Sequence, residues 1–289
     1  MRGYYYCSLN TFLNILKNKQ IYLSDPLKMN DTLEIKWYLE KLNNEDRTFS
    51  MLDFDVAESL IERVKARSYI DFTLEEFMEI LDSKGQSSVY ISCFSKEPDI
   101  LSQWRAYAED GKGVSIGFNL DNLCTSSNIF FEKVTYTDSV VYNDGENNLE
   151  IIADQIGTVL DINNITKKEE QVEVFLHELI QEFVKYKNPA FIEEKEVRLV
   201  YCDDMKFEEI VNSKGAFLEP WKSVKLEHDF RITGNADITE FVKLDYDPLA
   251  IEEICIGPKC SLSEQDVKNI VYKLLGTDVS VRTSKSSYR

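Results

Sequence analysis

The chain has 289 residues, with 33 lysines and arginines against 51 aspartates and glutamates and a formal charge of −18, a balance that repels phosphate backbones and makes non-specific nucleic-acid binding unlikely. A composition of 43% apolar and 12% aromatic residues, without Pro-rich or Ser-rich runs, predicts order almost throughout, and a fold of this length buries roughly 75% of the surface its unfolded chain exposes. No apolar run approaches the roughly 20 residues that span a bilayer, and the opening "MRGYYYCSLN" has no apolar signal region, so the chain reads as cytoplasmic with no membrane partner.

Leu9, Phe12, Leu13 and Leu16 follow Ser8 at helical spacing, which predicts a helix capped by Ser8 and ending near Lys19. A short strand "IYL" comes next, stopped by "SDP". Helical spacing returns at 32–46 and 52–68, and the capping box "TLEE" at 73–76 opens a helix to about Ser83. "SSVYISCFS" reads as a strand and "DILSQWRAYAED" as a helical turn ended at Gly111. "GVSIGFN" and "IFFEKVTY" read as two strands that could be adjacent. The pattern is helical from about 145 to 187 and strand-like at about 195–202, 215–226, 239–244 and 251–257. Ser263 and Asp266 then open a last helix, running to Leu275 and closed by Gly276, and "VSVRTS" is a final strand. Strand and helix blocks are segregated, which predicts one α+β domain over 1–289, with a central, mostly antiparallel sheet and helical insertions at about 32–83 and 145–187.

The six cysteines contain no Cys-x-x-Cys pair and only His177 and His228 could assist them, so no structural zinc is expected. Contexts such as "VYISCF" and "EEICIG" make the thiols small core residues. His177 falls in a helical pattern and reads as a surface or packing residue rather than a ligand, and neither histidine lies beside a nucleophile-elbow glycine pattern. Gly111, Gly113 and Gly117 do not form a dinucleotide-binding fingerprint. Asp25, Asp31 and Glu34 are clustered carboxylates of the kind that hold magnesium, which supports a nuclease reading as an alternative.

The stretch "NPAFIEEKEVRLVYCDD" carries Glu194, Glu196 and Arg198 at a spacing of two, so as a strand it puts all three on one face and Val197 and Leu199 on the other. That charged face is either a solvent-exposed ladder of ion pairs worth under about 1 kcal/mol each or the lining of a site. Tyr4 to Tyr6 are either an aromatic edge of the sheet or ligand contacts. Trp104 and Tyr107, three apart on one helical turn, serve either a core or a site.

The motifs "YYYCSLNTFLNILKNKQIYLSDPLKMND", "CFSKEPDILSQWRAYAEDGKGVSIGF", "PAFIEEKEVRLV" and "IGP" with the late "SYR" resemble, over nearly the whole chain, the bacterial family catalogued as domain of unknown function 2971 (DUF2971). More distantly, an early aromatic strand, a middle strand with serine and a late strand with glutamate resemble the three-part layout of ADP-ribosyltransferases. That likeness implies a split sheet and NAD as substrate, in a bacterial defence or toxin setting, with transfer to a macromolecular acceptor or plain hydrolysis. By motif it gives Tyr5 or Tyr6 the NAD ribose, Ser92 or Ser95 the nicotinamide, and Glu196 the oxocarbenium-like transition state, with Glu194 as companion acid. Ser8, Gln103, Trp104 and Tyr107 would complete the pocket, and Arg198 would hold the glutamate or a pyrophosphate oxygen. The alternative is a non-catalytic sensor that binds a nucleotide or a protein with the same residues.

Overall fold

The computed structural model describes residues 1–26, 89–126, 128–137, 142–143, 146–147, 156–158, 161, 181, 184–203, 223–232 and 238–288. The helices expected at 32–83, most of the expected 145–187 helix with His177, the carboxylates Asp31 and Glu34, and most of the expected strand at 215–226 lie outside those residues.

Strand β1 (Arg2–Cys7) leads into helix α1 (Leu9–Asn18) and strand β2 (Gln20–Ser24). Ser8 caps α1 by accepting from the Thr11 amide, and Lys19 closes it in the left-handed conformation. Strand β3 (Val89–Ser95) precedes the short helix α2 (Leu101–Tyr107) and β4 (Val114–Asn119). After β5 (Ile129–Lys133) come four two-residue strands, β6 (Thr135–Tyr136), β7 (Tyr142–Asn143), β8 (Glu146–Asn147) and β9 (Tyr186–Lys187). Strands β10 (Glu196–Cys202), β11 (Glu227–Ile232), β12 (Ile238–Asp245) and β13 (Ile251–Ile256) follow, then helix α3 (Glu264–Leu275) and β14 (Ser280–Thr283).

The principal sheet has ten strands, in the order β11-β12-β2-β3-β1-β4-β13-β14, with β10 paired to β3 and β5 paired to β10. Only β13 and β14 run parallel within it. The fold is thus α+β, with a large, mostly antiparallel, open sheet and few helices among the described residues. Strand β10 lies along the whole of β3, whereas β1 and β2 each meet β3 at one register point, Tyr4 with Ser95 and Ser24 with Ile91.

Three readings of the sequence need correction. "GVSIGFN" and "IFFEKVTY" are not neighbours, because β4 pairs with β1 and β13 while β5 pairs with β10. The 145–187 stretch is not helical throughout, since Glu146–Asn147 and Tyr186–Lys187 are strands. "EHDFRI" forms β11, a strand whose mostly polar, exposed residues gave no apolar alternation to read.

The two faces of the sheet carry different cores. On one, α1 buries Phe12, Ile15 and Leu16 and α3 buries Val267, Val271 and Leu275, in one cluster with Phe94, Val197, Leu199 and Tyr201. On the other, α2 lays Trp104 and the following Ala108 against Tyr4, Tyr6 and Cys255. Complete burial of each large apolar side chain is worth about 1.5 to 3 kcal/mol. The second face is closed tightly at Gly113, where a Cβ would stand 2.0 Å from the Cys7 carbonyl oxygen. Gly113 also donates to Ala108 and accepts from Gly257, tying the end of α2 to the sheet.

Candidate functional site

Asn188 caps the 3-10 turn Pro189–Glu194, and Lys195 leaves that turn with φ 47°, so the chain is redirected before β10 begins at Glu196. Glu194 is therefore not part of the strand, and the spacing of two does not place it. Its carboxylate reaches the same place by another route, through Lys187 on β9.

The Lys187 Nζ lies 2.7 Å from Glu194 Oε2 and 2.7 Å from Glu196 Oε2. The other oxygen of Glu196 accepts from Arg198 Nε at 2.7 Å, and Arg198 Nη1 donates to the Val184 carbonyl at 2.7 Å. The Tyr136 hydroxyl accepts from the Glu196 amide at 2.7 Å, and the Lys187 ammonium sits 5.0 Å from the centre of the Phe191 ring. Two anions and two cations thus form one cluster. Glu196 is 3% exposed and Arg198 fully enclosed, which overturns the solvated-ladder alternative. Charges so placed are held by one another, since burying any of them alone would be costly.

Burial by itself would push the Glu196 carboxyl up, but the Arg198 and Lys187 cations more than offset it and, with a hydrogen bond from the Cys93 thiol, hold it well below the usual carboxylate range. Glu194 is the less enclosed acid, its side chain 13% exposed. Across the ladder, Ser95 stands in register with Glu196 and donates to the Glu194 carbonyl at 2.8 Å. Tyr107, at the end of α2, is half exposed. Its phenol is raised well above the usual value by desolvation and by the Glu194 carboxylate.

The fold therefore brings Glu194, Glu196, Arg198, Ser95 and Tyr107 into one neighbourhood, with Gln103 and Trp104 buried on the same helix. Trp104 is an anchor: its indole donates to Asp99 at 2.7 Å and its ring meets Tyr6 edge-on at 4.7 Å. The Tyr6 hydroxyl donates to the Glu97 carbonyl and accepts from the Ile100 amide, so it positions the start of α2. Tyr5 and Ser92 do not join them. They share the opposite face, where Tyr5 packs on Phe94 and Ser92 stands in register with Leu199. Ser8 lies at the helix cap.

Lys187, Tyr136 and Cys93 were missed from sequence. Lys187 sits at the end of a helical-looking stretch and Cys93 in an apolar strand, so neither carried a local signal. A second polar chain lies at the β11–β12 end: His228 Nδ1 is 3.0 Å from Glu240 Oε1, its Nε2 is 3.1 Å from Asp203 Oδ2, and the Tyr90 hydroxyl donates to Glu240 Oε2 at 2.9 Å. Among the described residues no group of three histidines, cysteines or acids is placed to hold a metal ion, and no helix is long and apolar enough to cross a membrane.

Residues 103–199 match the family model described as protein of unknown function (DUF2971), the same family that the motifs resemble. Of those motifs, most of "PAFIEEKEVRLV" and the α2–β4 part of the second lie within the matched span. No curated protein and no solved structure matches the chain.

Proposed function

We propose that this DUF2971 chain acts on NAD, as a hydrolase or as an ADP-ribosyltransferase, with Glu194 facing the reacting ribose and Glu196 orienting it from below. The observation that carries this reading is the convergence of two carboxylates on one buried ammonium, with the outer acid beside Ser95 and Tyr107 and the inner one fixed by Arg198.

Breaking the bond between the ribose anomeric carbon and the nicotinamide nitrogen sends the bonding electron pair to nicotinamide and leaves cation character on the ribose. A fixed carboxylate in a water-poor site stabilises that charge, and one preorganised group of this kind is typically worth roughly 3 to 4 kcal/mol. The electron-deficient carbon is then taken by water or by the nucleophile of a macromolecular acceptor. Both oxygens of Glu196 are engaged by Lys187 and Arg198, so its part is to hold the cation that aligns Glu194. A bacterial-defence setting accords with this chemistry and rests on resemblance alone.

The same saturation of Glu196 favours a second reading, a binding module that recognises a nucleotide or a protein without turning it over. Incubating the pure protein with NAD and following nicotinamide release separates the two. The enzyme reading expects release that falls at least about 100-fold in Glu194→Gln, in line with the loss of one such group. Thermal stabilisation by NAD without release would favour the module. Neither release nor stabilisation would end the NAD reading.

A further inference from the structure

We infer that the segment from Ser284 to Tyr288 is a releasable strap that fixes α2 against the sheet and thereby sets Tyr107 beside the acid pair. The consequence for ligand binding rests on the reading of that site; the strap itself does not.

Helix α2 needs outside support. It has seven residues, fewer than a helix requires to persist alone in water, and its N-cap is Ile100, which supplies no side-chain bond. It is followed by Glu109 and Asp110, both at positive φ (48° and 58°), before Gly111 at 86°. Two successive non-glycine residues in that region stay there only when their surroundings hold them.

The strap supplies that hold at both ends of the helix. At the start, Asp99 accepts from the Trp104 indole at 2.7 Å while also accepting from the Ser284 hydroxyl at 2.6 Å and the Lys285 amide at 2.8 Å. At the end, the Tyr288 hydroxyl donates to Asp110 Oδ1 at 2.5 Å, and Lys259 donates to Asp110 Oδ2 at 2.8 Å. The Tyr288 ring carries two cations, Lys259 at 3.8 Å and Arg105 of α2 at 4.6 Å from its centre. Ser284 is itself tied to the sheet through the Ile256 carbonyl at 2.8 Å.

These contacts are polar or cation-π, and most of their partners are partly or wholly exposed. Such contacts hold a segment in place yet yield to salt or to a competitor far more readily than a buried apolar core does. What they release is specific: α2 ends at Tyr107, whose phenol is raised by desolvation and then by the Glu194 carboxylate.

Hydrogen exchange of the full chain tests this without any substrate. In Tyr288→Ala the amides of 101–113 should exchange at least about ten times faster than in the wild type, whereas those of α3, on the opposite face, should stay within about twofold. Tyr288→Phe keeps the ring between its cations and should show a smaller effect, and 1 M salt should reproduce part of the acceleration in the wild type. Exchange of 101–113 unchanged in both Tyr288→Ala and Asp99→Ala would overturn the strap. Equal acceleration of α2 and α3 would also overturn it, because the segment would then be a general stabiliser. An inactive wild type with normal strap behaviour would count against the NAD reading alone.

Discussion

Replacing Glu196 with glutamine removes one negative charge and leaves almost every atom in place. The carboxamide can still accept from Arg198 or Lys187, but it cannot balance both cations, and Arg198 and Lys187 are 0% and 4% exposed at their side chains. Removing one partner of a buried charge network costs about 3 to 5 kcal/mol, mainly because the remaining charges stay buried without compensation. Glu194 still faces Lys187 at 2.7 Å, so the lower half of that range is expected, about 3 to 4 kcal/mol. At about 2 °C per kcal/mol for a chain of this size, the melting temperature should drop by about 6 to 8 °C. Urea and thermal unfolding followed by circular dichroism give both numbers. The pair Lys187→Met with Glu196→Gln supplies the control: if the cost comes from an uncompensated cation, the double variant should lose less than the sum of the two single losses. A Glu196→Gln protein within about 1 kcal/mol of the wild type would refute the argument, since 1 kcal/mol is the upper range for exposed pairs.

The same carboxyl makes stability depend on acid. Its folded value lies below its ordinary value of 4.5, so its contribution is fully present above that value and is lost as the pH falls through the folded one. Wild-type stability should therefore decline below about pH 4.5 with a steeper slope than Glu196→Gln shows in the same urea titrations. Ser8→Ala should cost about 1 kcal/mol through the lost cap on α1 and leave the thermal shift with NAD unchanged; a selective loss of NAD response would restore Ser8 to the site. Gly113→Ala puts a Cβ against the Cys7 carbonyl, 2.0 Å away, and should be among the most damaging single changes, at about 4 kcal/mol or more, read as loss of the folded protein in expression and melting assays.

Local chemistry carried much of the architecture. Ser8 with Lys19, and Ser263 with Asp266 and Gly276, bound their helices where the capping rules place them, because a cap needs only neighbours in sequence. The alternation in "EVRLVYC" correctly put Glu196 and Arg198 on one face and Val197 and Leu199 on the other, because a strand's period of two is a backbone property. The motifs likewise pointed to DUF2971, the family whose model matches residues 103–199.

What the sequence could not set was which segments meet across the sheet. Tyr5 and Tyr6 are adjacent and alike, yet register with β3 and β4 turns one toward Phe94 and the other toward Trp104. The pairing of β10 with β3, distant in sequence, puts Ser95 rather than Ser92 beside Glu196. Glu194 joined the cluster although Lys195 breaks the strand before it, because the turn at Pro189 brings its carboxylate back to Lys187. Lys187 itself lay in a stretch whose spacing read as helix. Its place as the shared cation follows from the parallel pairing of β9 with β6, a contact between residues about fifty positions apart for which neither segment carries a local signature. Spacing fixes the face on which a side chain lies, whereas only the tertiary pairing decides what stands opposite it, and that pairing is what made an exposed-looking row of charges into a buried, mutually compensated cluster.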